Sequence, residues 1–245
     1  MMPGDDTDKL ADGVERILVV TAHPDDVDFG NAGTVARWTD AGIEVAYCIC
    51  TSGEAGGFDR SVPRTTMVEI REAEQRGAAK VVGVSDVTFL GYPDGRLESS
   101  FDLRRDISRQ IRRVRPQRVV GPSPERNFER LYASHPDHLA AGEATIAAVY
   151  PDARNPFAHP ELLDEGFEPW ASSELYLATG GVPDVFVDIT DTFERKMVAL
   201  RCHVSQHPDP DGLDARIRAW NAGTAALGGL PEGRLAESFL RVNTN

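Results

Sequence analysis

The sequence predicts a three-layer α/β sandwich: a mainly parallel sheet with helices on both faces, wound in the Rossmann-like manner. Three observations predict it. Short apolar runs rich in β-branched residues alternate with longer segments of helical period from Ile17 to Cys202. The first strand, loop, helix and second strand fit within residues 17–50, the size of one βαβ unit. Polar loops follow the strands at four points (residues 23–26, 52–57, 92–95 and the loop ending at 135). In a parallel sheet such loops meet at the carboxyl edge, where ligands bind.

Each element has its own signal. Ile17-Leu18-Val19-Val20 ends in Thr21-Ala22 and reads as a buried parallel strand. A loop takes residues 23–28, and apolar periodicity over 33–41 marks a helix that Gly42 ends. Residues 43–50 form a second strand, on which Cys48 and Cys50 share one face as small core residues. A long loop rich in Gly, Ser and charge, 51–65, leads to a helix over 66–82; loops of that length in compact domains are often functional. A third strand, 87–90, precedes a basic helix, 103–114, whose arginines read as a solvated face. Strand 118–121, a polar loop 122–134 and a helix over 139–149 repeat the pattern. Residues 151–170 are irregular, 174–178 and 185–189 are later strands, and 192–202 is a helix with Asp191 near its start.

The 245 residues are 41% apolar, enough for a substantial core, and carry a formal net charge of −13. That acidity argues against nucleic acid and against anionic membrane surfaces as partners. No apolar run approaches the ~20 residues of a membrane span. Residues 1–16 read as a disordered leader and 17–245 as one domain. Three cysteines, Cys48, Cys50 and Cys202, make no disulfide framework and suggest reduced thiols and a cytoplasmic address. A homo-oligomer is left open.

Two clusters carry chemistry. Ala22-His23-Pro24-Asp25-Asp26 puts one imidazole and two carboxylates directly after a buried strand. A His and a carboxylate suit zinc, and a carboxylate outside the ligand set can act as general base. Taken alone, the cluster also reads as a helix start decorated with Asp, which the helix dipole favours. Ser134-His135-Pro136-Asp137-His138 follows another strand and loop, with two His three apart on one side of a helix start. One could ligate metal while the other faces substrate; alone, the segment is also an ordinary His-rich loop. Placing both clusters at strand ends on the same edge makes a shared site.

These two motifs resemble the paired signatures of the PIG-L, or LmbE-like, zinc deacetylases. The resemblance continues through Gly33-Thr34, Thr51-Ser52-Gly53-Glu54-Ala55-Gly56, Ile70-Arg71-Glu72-Ala73-Glu74, Phe89-Leu90-Gly91-Tyr92-Pro93-Asp94-Gly95, Arg115-Pro116, Asp188 with Thr190, Lys196, Ser205-Gln206 and Ala236-Glu237-Ser238-Phe239. It implies the LmbE-like fold and a hydrolase that removes an N-acetyl or related acyl group from an amino-sugar or its conjugate. It implies Zn²⁺ held by His23, Asp26 and His138, with Fe²⁺ also suited to such a set. Asp25 is then the general base. His135 is the group that stabilises the oxyanion or helps protonate the leaving amine, oriented by Asp137, while Arg71 and Asp94 are substrate contacts. Members act on glucosaminyl-inositol compounds, glycolipid precursors, chitooligosaccharides, antibiotic intermediates and thiol conjugates. The loops 53–65 and 150–173 are expected to choose among them. Departures occur at Val27 and Asp28, where many members carry Glu, and at Ala133, where some carry Tyr; Tyr132 is adjacent.

Other readings are weaker. A nucleotide-dependent enzyme on such a sheet needs a Gly-rich first turn, and His-Pro-Asp-Asp would repel phosphate. An amidase for a mycothiol-type thiol conjugate and a non-catalytic sugar-binding relative remain as alternatives. His203 and His207 have metal-helix spacing, but Pro208 and Pro210 end the helix there, so a structural or substrate-rim role is expected. His159 reads as surface, Glu54 as a loop residue, and Trp38 and Trp220, both in helical patterns, as packing.

Overall fold

The computed structural model describes residues 13–128, 131, 134–178, 180, 182–207 and 211–245. Most of the expected leader, together with Tyr132, Ala133, Pro208 and Pro210, lies outside these residues. The elements in chain order are β1 (Arg16–Thr21), α1 (Asp26–Gly30), α2 (Ala32–Asp40), β2 (Glu44–Thr51), α3 (Arg64–Val81), β3 (Asp86–Tyr92), α4 (Phe101–Val114), β4 (Arg118–Pro122), α5 (Pro136–Ala147), α6 (Glu161–Asp164), β5 (Glu174–Ala178), β6 (Val185–Asp188), α7 (Phe193–Arg201), α8 (Asp211–Leu227) and β7 (Ala236–Asn243). Among the described residues no helix is long and apolar enough to cross a membrane.

The strands form one seven-stranded sheet in the order β3-β2-β1-β4-β5-β7-β6. β1 to β5 run parallel, and β7 pairs antiparallel with both β5 and β6. Strand order therefore reverses between β1 and β4. The carboxyl ends of those two strands flank a crevice, the place where open α/β sheets bind ligands.

Period-2 alternation sorts β1 and β2 between two cores. Ile17, Val19, Tyr47 and Ile49 pack on one face with Trp38, Val82 and Phe193. Leu18, Val20, Cys48 and Cys50 pack on the other with Leu103, Ile107 and Ala144. Both cysteines are buried on one face, as their spacing suggests. Trp38 is fully buried and stacks on Phe239.

The structure differs from the sequence reading in several places. Residues 26–28, expected within a loop, begin a short helix that runs to Gly30. β7 was not anticipated, and the helical pattern around Trp220 belongs to a 17-residue helix, α8. The basic helix α4 is not simply a solvated face. Arg112 is 2% exposed and donates to the carbonyls of Ala153, Asp152, Asn155 and Ala158. Arg104, Arg109 and Arg113 pair with Asp152, Glu165 and Asp86. The arginines hold residues 152–167 against the helix. His159 belongs to the same anchor, with Nε2 3.3 Å from Asp152 and its side chain 12% exposed. The 150–173 segment is fastened further by Trp170 Nε1 and Ser172 Oγ, which both donate to Pro116 O at the amino end of β4. These contacts place it toward the amino end of β4, at the edge opposite the crevice.

Candidate active site

β1 ends at Thr21 and delivers His23, Pro24 and Asp25 to the crevice. Asp25 precedes α1 with φ +83, a left-handed conformation that costs a non-glycine residue about 1–2 kcal/mol. Several bonds hold it there. Its N–H donates to Gln75 Oε1 (2.7 Å), and its carbonyl accepts from Asp28 and Phe29 as α1 starts. Arg71 Nη2 donates to Pro24 O (2.7 Å) and to Asp25 Oδ2 (3.2 Å). Arg71 and Gln75 lie four apart on α3, so one helix face supplies both clamps. Arg71 Nη1 reaches Gly53 O at 2.8 Å. Only glycine fits at 53: φ is +69, and a Cβ there would lie 2.2 Å from that Nη1.

The second cluster comes from α5. His135 is its N-cap, with Nδ1 accepting from Asp137 N at 3.2 Å; Pro136 starts the helix and His138 sits in its first turn. His23 Nδ1 lies 3.2 Å from His138 Nε2 and 3.5 Å from Asp26 Oδ2, and His138 Nε2 lies 3.0 Å from Asp26 Oδ1. Zinc bonds of about 2.0–2.2 Å in a tetrahedron separate neighbouring donors by about 3.3–3.6 Å. The three separations, 3.0–3.5 Å, lie at or a little under that spacing, with Asp26 turning a different oxygen to each histidine. Without a cation, two imidazole nitrogens this close need a proton between them.

Two other groupings bring donor atoms within 4.8 Å of one another: His23 with His135 and His138, and His23 with Asp94 and Asp137. Hydrogen bonding argues for neither. His23 Nε2 faces Asp94 Oδ1 at 3.1 Å and Asp137 Oδ2 at 3.2 Å. Donation of its N–H to these carboxylates leaves Nδ1 as the metal-facing atom, the usual carboxylate–histidine arrangement around metals. His135 Nδ1 accepts a backbone hydrogen, which leaves the ring proton on Nε2 as a donor.

Charge follows this geometry. Burial opposes a charged His23, yet Asp137, Asp26 and Asp94 outweigh it and push its pKa up to about 12. Burial likewise opposes charge on His138, and Asp26 raises it. Asp26 is driven well below the carboxylate range, because His138 and His23 overcome its desolvation. Asp25 goes the other way: burial raises it to about 6, against the lowering pull of Arg71. His135 is lowered by burial and by the neighbouring His23 and His138, so it is a neutral donor rather than a cation.

All eight residues singled out in the sequence meet at this crevice, and three of them also hold protein partners that the sequence did not show. Asp137 does not orient His135 with its carboxylate. Its oxygens accept from His23 Nε2, Gly95 N (2.7 Å) and Leu97 N (3.3 Å). Asp94 is 8% exposed and divides its carboxylate between His23 and Ala55 N. Arg71 spends both terminal nitrogens on the protein, and only its Nε has no protein partner. Glu54 accepts from Asp94 N and so belongs to the loop, as expected. His203 is fully buried and bonds Asp28 Oδ2 at 2.8 Å, while His207 packs edge-on against Phe29. Asp28 also accepts from Gln75 Nε2 at 2.9 Å. The chain His203–Asp28–Gln75–Asp25 was missed in the sequence. Its one available signal was the spacing of Gln75 from Arg71.

A switch-point crevice with a two-histidine, one-carboxylate donor set and a spare carboxylate beside it defines a candidate metallohydrolase. Comparison supplies the family. The family model of GlcNAc-PI de-N-acetylase (PIG-L) matches residues 18–149, and this chain belongs to that family. It is 33% identical over 196 residues to diacetylchitobiose deacetylase of Thermococcus kodakarensis, covering 80% of this chain and 72% of that protein. It is 34% identical over 198 residues to the probable N-acetyl-alpha-D-glucosaminyl L-malate deacetylase 2 of Bacillus cereus, covering 78% and 83%. Among solved structures, N,N'-diacetylchitobiose deacetylase from Pyrococcus horikoshii superposes with a TM-score of 0.89 at 30% identity, covering 98% of this chain and 88% of that one.

Proposed function

We propose that this protein is a metal-dependent N-deacetylase that hydrolyses the N-acyl group of a small amino-sugar or its conjugate. The observation that carries the reading is the spacing of His23 Nδ1, Asp26 and His138 Nε2, with the carboxylate of Asp25 beside them and outside the set. Deacetylation of amino-sugars is also what the names of its relatives state. His23, Asp26 and His138 would hold the ion, Zn²⁺ by preference, with Fe²⁺ the alternative for a two-His carboxylate set. When bound, the ion would supply Lewis acidity, lowering the pKa of water and polarising the acyl oxygen.

The remaining steps belong to the chain itself. Asp25, ionised above a pKa of about 6, takes a proton from the attacking water. The water oxygen bonds to the acyl carbon, and the acyl oxygen gains charge. His135 donates its Nε2 hydrogen to that oxygen, a contribution of a few kcal/mol for one aimed donor. The C–N bond then breaks, and the proton held by Asp25 passes to the nitrogen. Carboxylate and free amine are the products. Asp94 and Asp137 fix the ring of His23, and Arg71 fixes Asp25. Free thiols at Cys48, Cys50 and Cys202 fit a cytoplasmic enzyme.

The test combines metal analysis with acetate release from N-acetylated amino-sugars. Asp25→Ala is expected to keep about one metal per chain and lose at least 10²-fold in kcat. His138→Ala is expected to lose the metal. Undiminished turnover by Asp25→Ala would remove the assigned base, and a metal-free wild type that is fully active would remove the reading altogether.

A further inference from the structure

A chamber of about 620 Å³ opens beside the donor set, and the chemistry above leaves it unused. Its lining includes Asp26 and His138 but not His23, Asp25, Arg71, Asp94 or His135. Sheet order explains why. Arg71 on α3 and Asp94 after β3 lie on the β2–β3 side of β1, whereas the chamber lies on the other side, among β4, β5, β7 and α8. The donor set stands between the two.

The walls are mainly hydrocarbon: Leu177, Ile217, Trp220 and Phe239 are typical. The buried charge among them is committed. Glu237 accepts from Lys196 Nζ at 2.6 Å and from the amides of Gly33 and Thr34. Asn221 donates to Ala236 O. Among the described residues, the buried side-chain atoms of this lining that lack a partner are the amide oxygens of Asn31 and Asn221. Arg216 is exposed at the rim.

An amide held at its carbonyl has two ends. If the amine half lies toward Arg71 and Asp94, the acyl half points past Asp26 and His138 into the chamber. A methyl group is about the size of a water molecule, which takes about 30 Å³ of liquid. Acetyl would leave nearly all of the chamber filled with water against apolar walls, and a hydrocarbon chain would release that water. Resting on the deacetylase reading, we propose that this chamber is an acyl site and that the enzyme prefers N-acyl groups of several carbons to acetyl. Hydrolysis adds water across the C–N bond, giving a medium-chain carboxylate and the free amine.

The experiment uses the zinc-loaded full chain and a series of N-acylglucosamines: acetyl, butanoyl, hexanoyl and octanoyl. Amine release is measured. The expected result is a rise of about fourfold in kcat/KM per added methylene over the first members. Thr224→Trp, on α8, places bulk in the chamber from a half-buried position. It is expected to cost at least about tenfold on octanoyl substrate, as each excluded methylene forfeits its gain, and under about twofold on acetyl. Trp220→Ala, a second variant that removes a wall, is expected to flatten the gain per methylene. A flat or falling series, or a rising one untouched by both variants, overturns the acyl site while leaving the deacetylase reading intact. Preference for diacetylchitobiose over the longer acyl chains, lost in Thr224→Trp, also overturns it and assigns the chamber to a second sugar. No release from any member by protein that holds zinc overturns both.

Discussion

Asp25 shows how far one residue depends on its neighbours. Its burial raises the carboxyl to about 6 and the Arg71 charge limits that rise, so the base is ionised at neutral pH and still basic enough to take a proton. The sign is definite: a raised acid loses activity as pH falls through its pKa. The pH profile of kcat/KM is expected to show an acid limb near 6, and Arg71→Met, which removes the lowering charge, should move that limb to higher pH. A limb that stays put in Arg71→Met would separate the two residues. The strained backbone of Asp25 makes a second demand. Gln75 holds its N–H, Asp28 holds Gln75, and His203 holds Asp28, with Asp28 and His203 both fully buried. His203→Ala is expected to cut kcat about tenfold or more, the scale of a misplaced group (about 1.4 kcal/mol), with KM and zinc content unchanged. His203→Gln, whose amide can still donate to Asp28, should recover most of the loss. Equal loss in both variants would mean His203 only fills space.

The elements that were legible in the sequence are those whose signal is local. β1, β2 and β4 are continuous apolar runs because both faces of each are buried, and α2 ends at Gly42 as read. β7 was not legible, since its run Ala-Glu-Ser-Phe-Leu-Arg carries a charge at a position that turns out to be buried. Only the folded partners make Glu237 tolerable there: Lys196 from α7 and the first amides of α2. Of α8 only the helical pattern around Trp220 was legible, and its bounds were obscured because its buried positions include the small and polar Asn221 and Ala225 among two glycines. The site shows the same division. Its ligand candidates lie in two short motifs, but the true target of Asp137 is set by Gly95 and Leu97, forty or more positions away along the chain. The buried pair invites a direct measurement. Lys196→Met leaves Glu237 uncompensated and is expected to destabilise by about 3–5 kcal/mol in urea unfolding. Adding Glu237→Gln keeps an acceptor for α2 while removing the stranded charge, and should return more than half of that. If Lys196→Met alone costs under about 1 kcal/mol, the pair is not what holds α2, α7 and β7 together.

At the scale of the whole molecule, the donor set joins parts of the chain that the sheet alone leaves separate. His23 and Asp26 belong to the end of β1, and His138 to the helix after β4, so one ion would close the crevice at the switch point. Binding to the folded form alone stabilises it, by about 2.7 kcal/mol when free metal stands at 100 times Kd. For a domain of this size that is about 5–10 °C in Tm, at roughly 2–4 °C per kcal/mol. Protons compete for the same place. In the metal-free protein, the carboxylates of Asp137, Asp26 and Asp94 overcome burial to hold a proton on His23 up to a pKa of about 12, and Asp26 raises His138 as well. Across the whole neutral range, then, an entering cation has to displace at least one proton. The apparent Kd for Zn²⁺ is expected to rise at least about tenfold for each unit of pH lowered, and the Tm gained on zinc addition to shrink in step. Calorimetric titration at two or three pH values in buffers of different ionisation heat counts the protons released. Chelator should lower Tm in the wild type and leave His138→Ala unmoved. A zinc affinity independent of pH between 6 and 8 would show that the proton on His23 is not displaced, and would place the ion elsewhere than between Nδ1 of His23, Asp26 and Nε2 of His138.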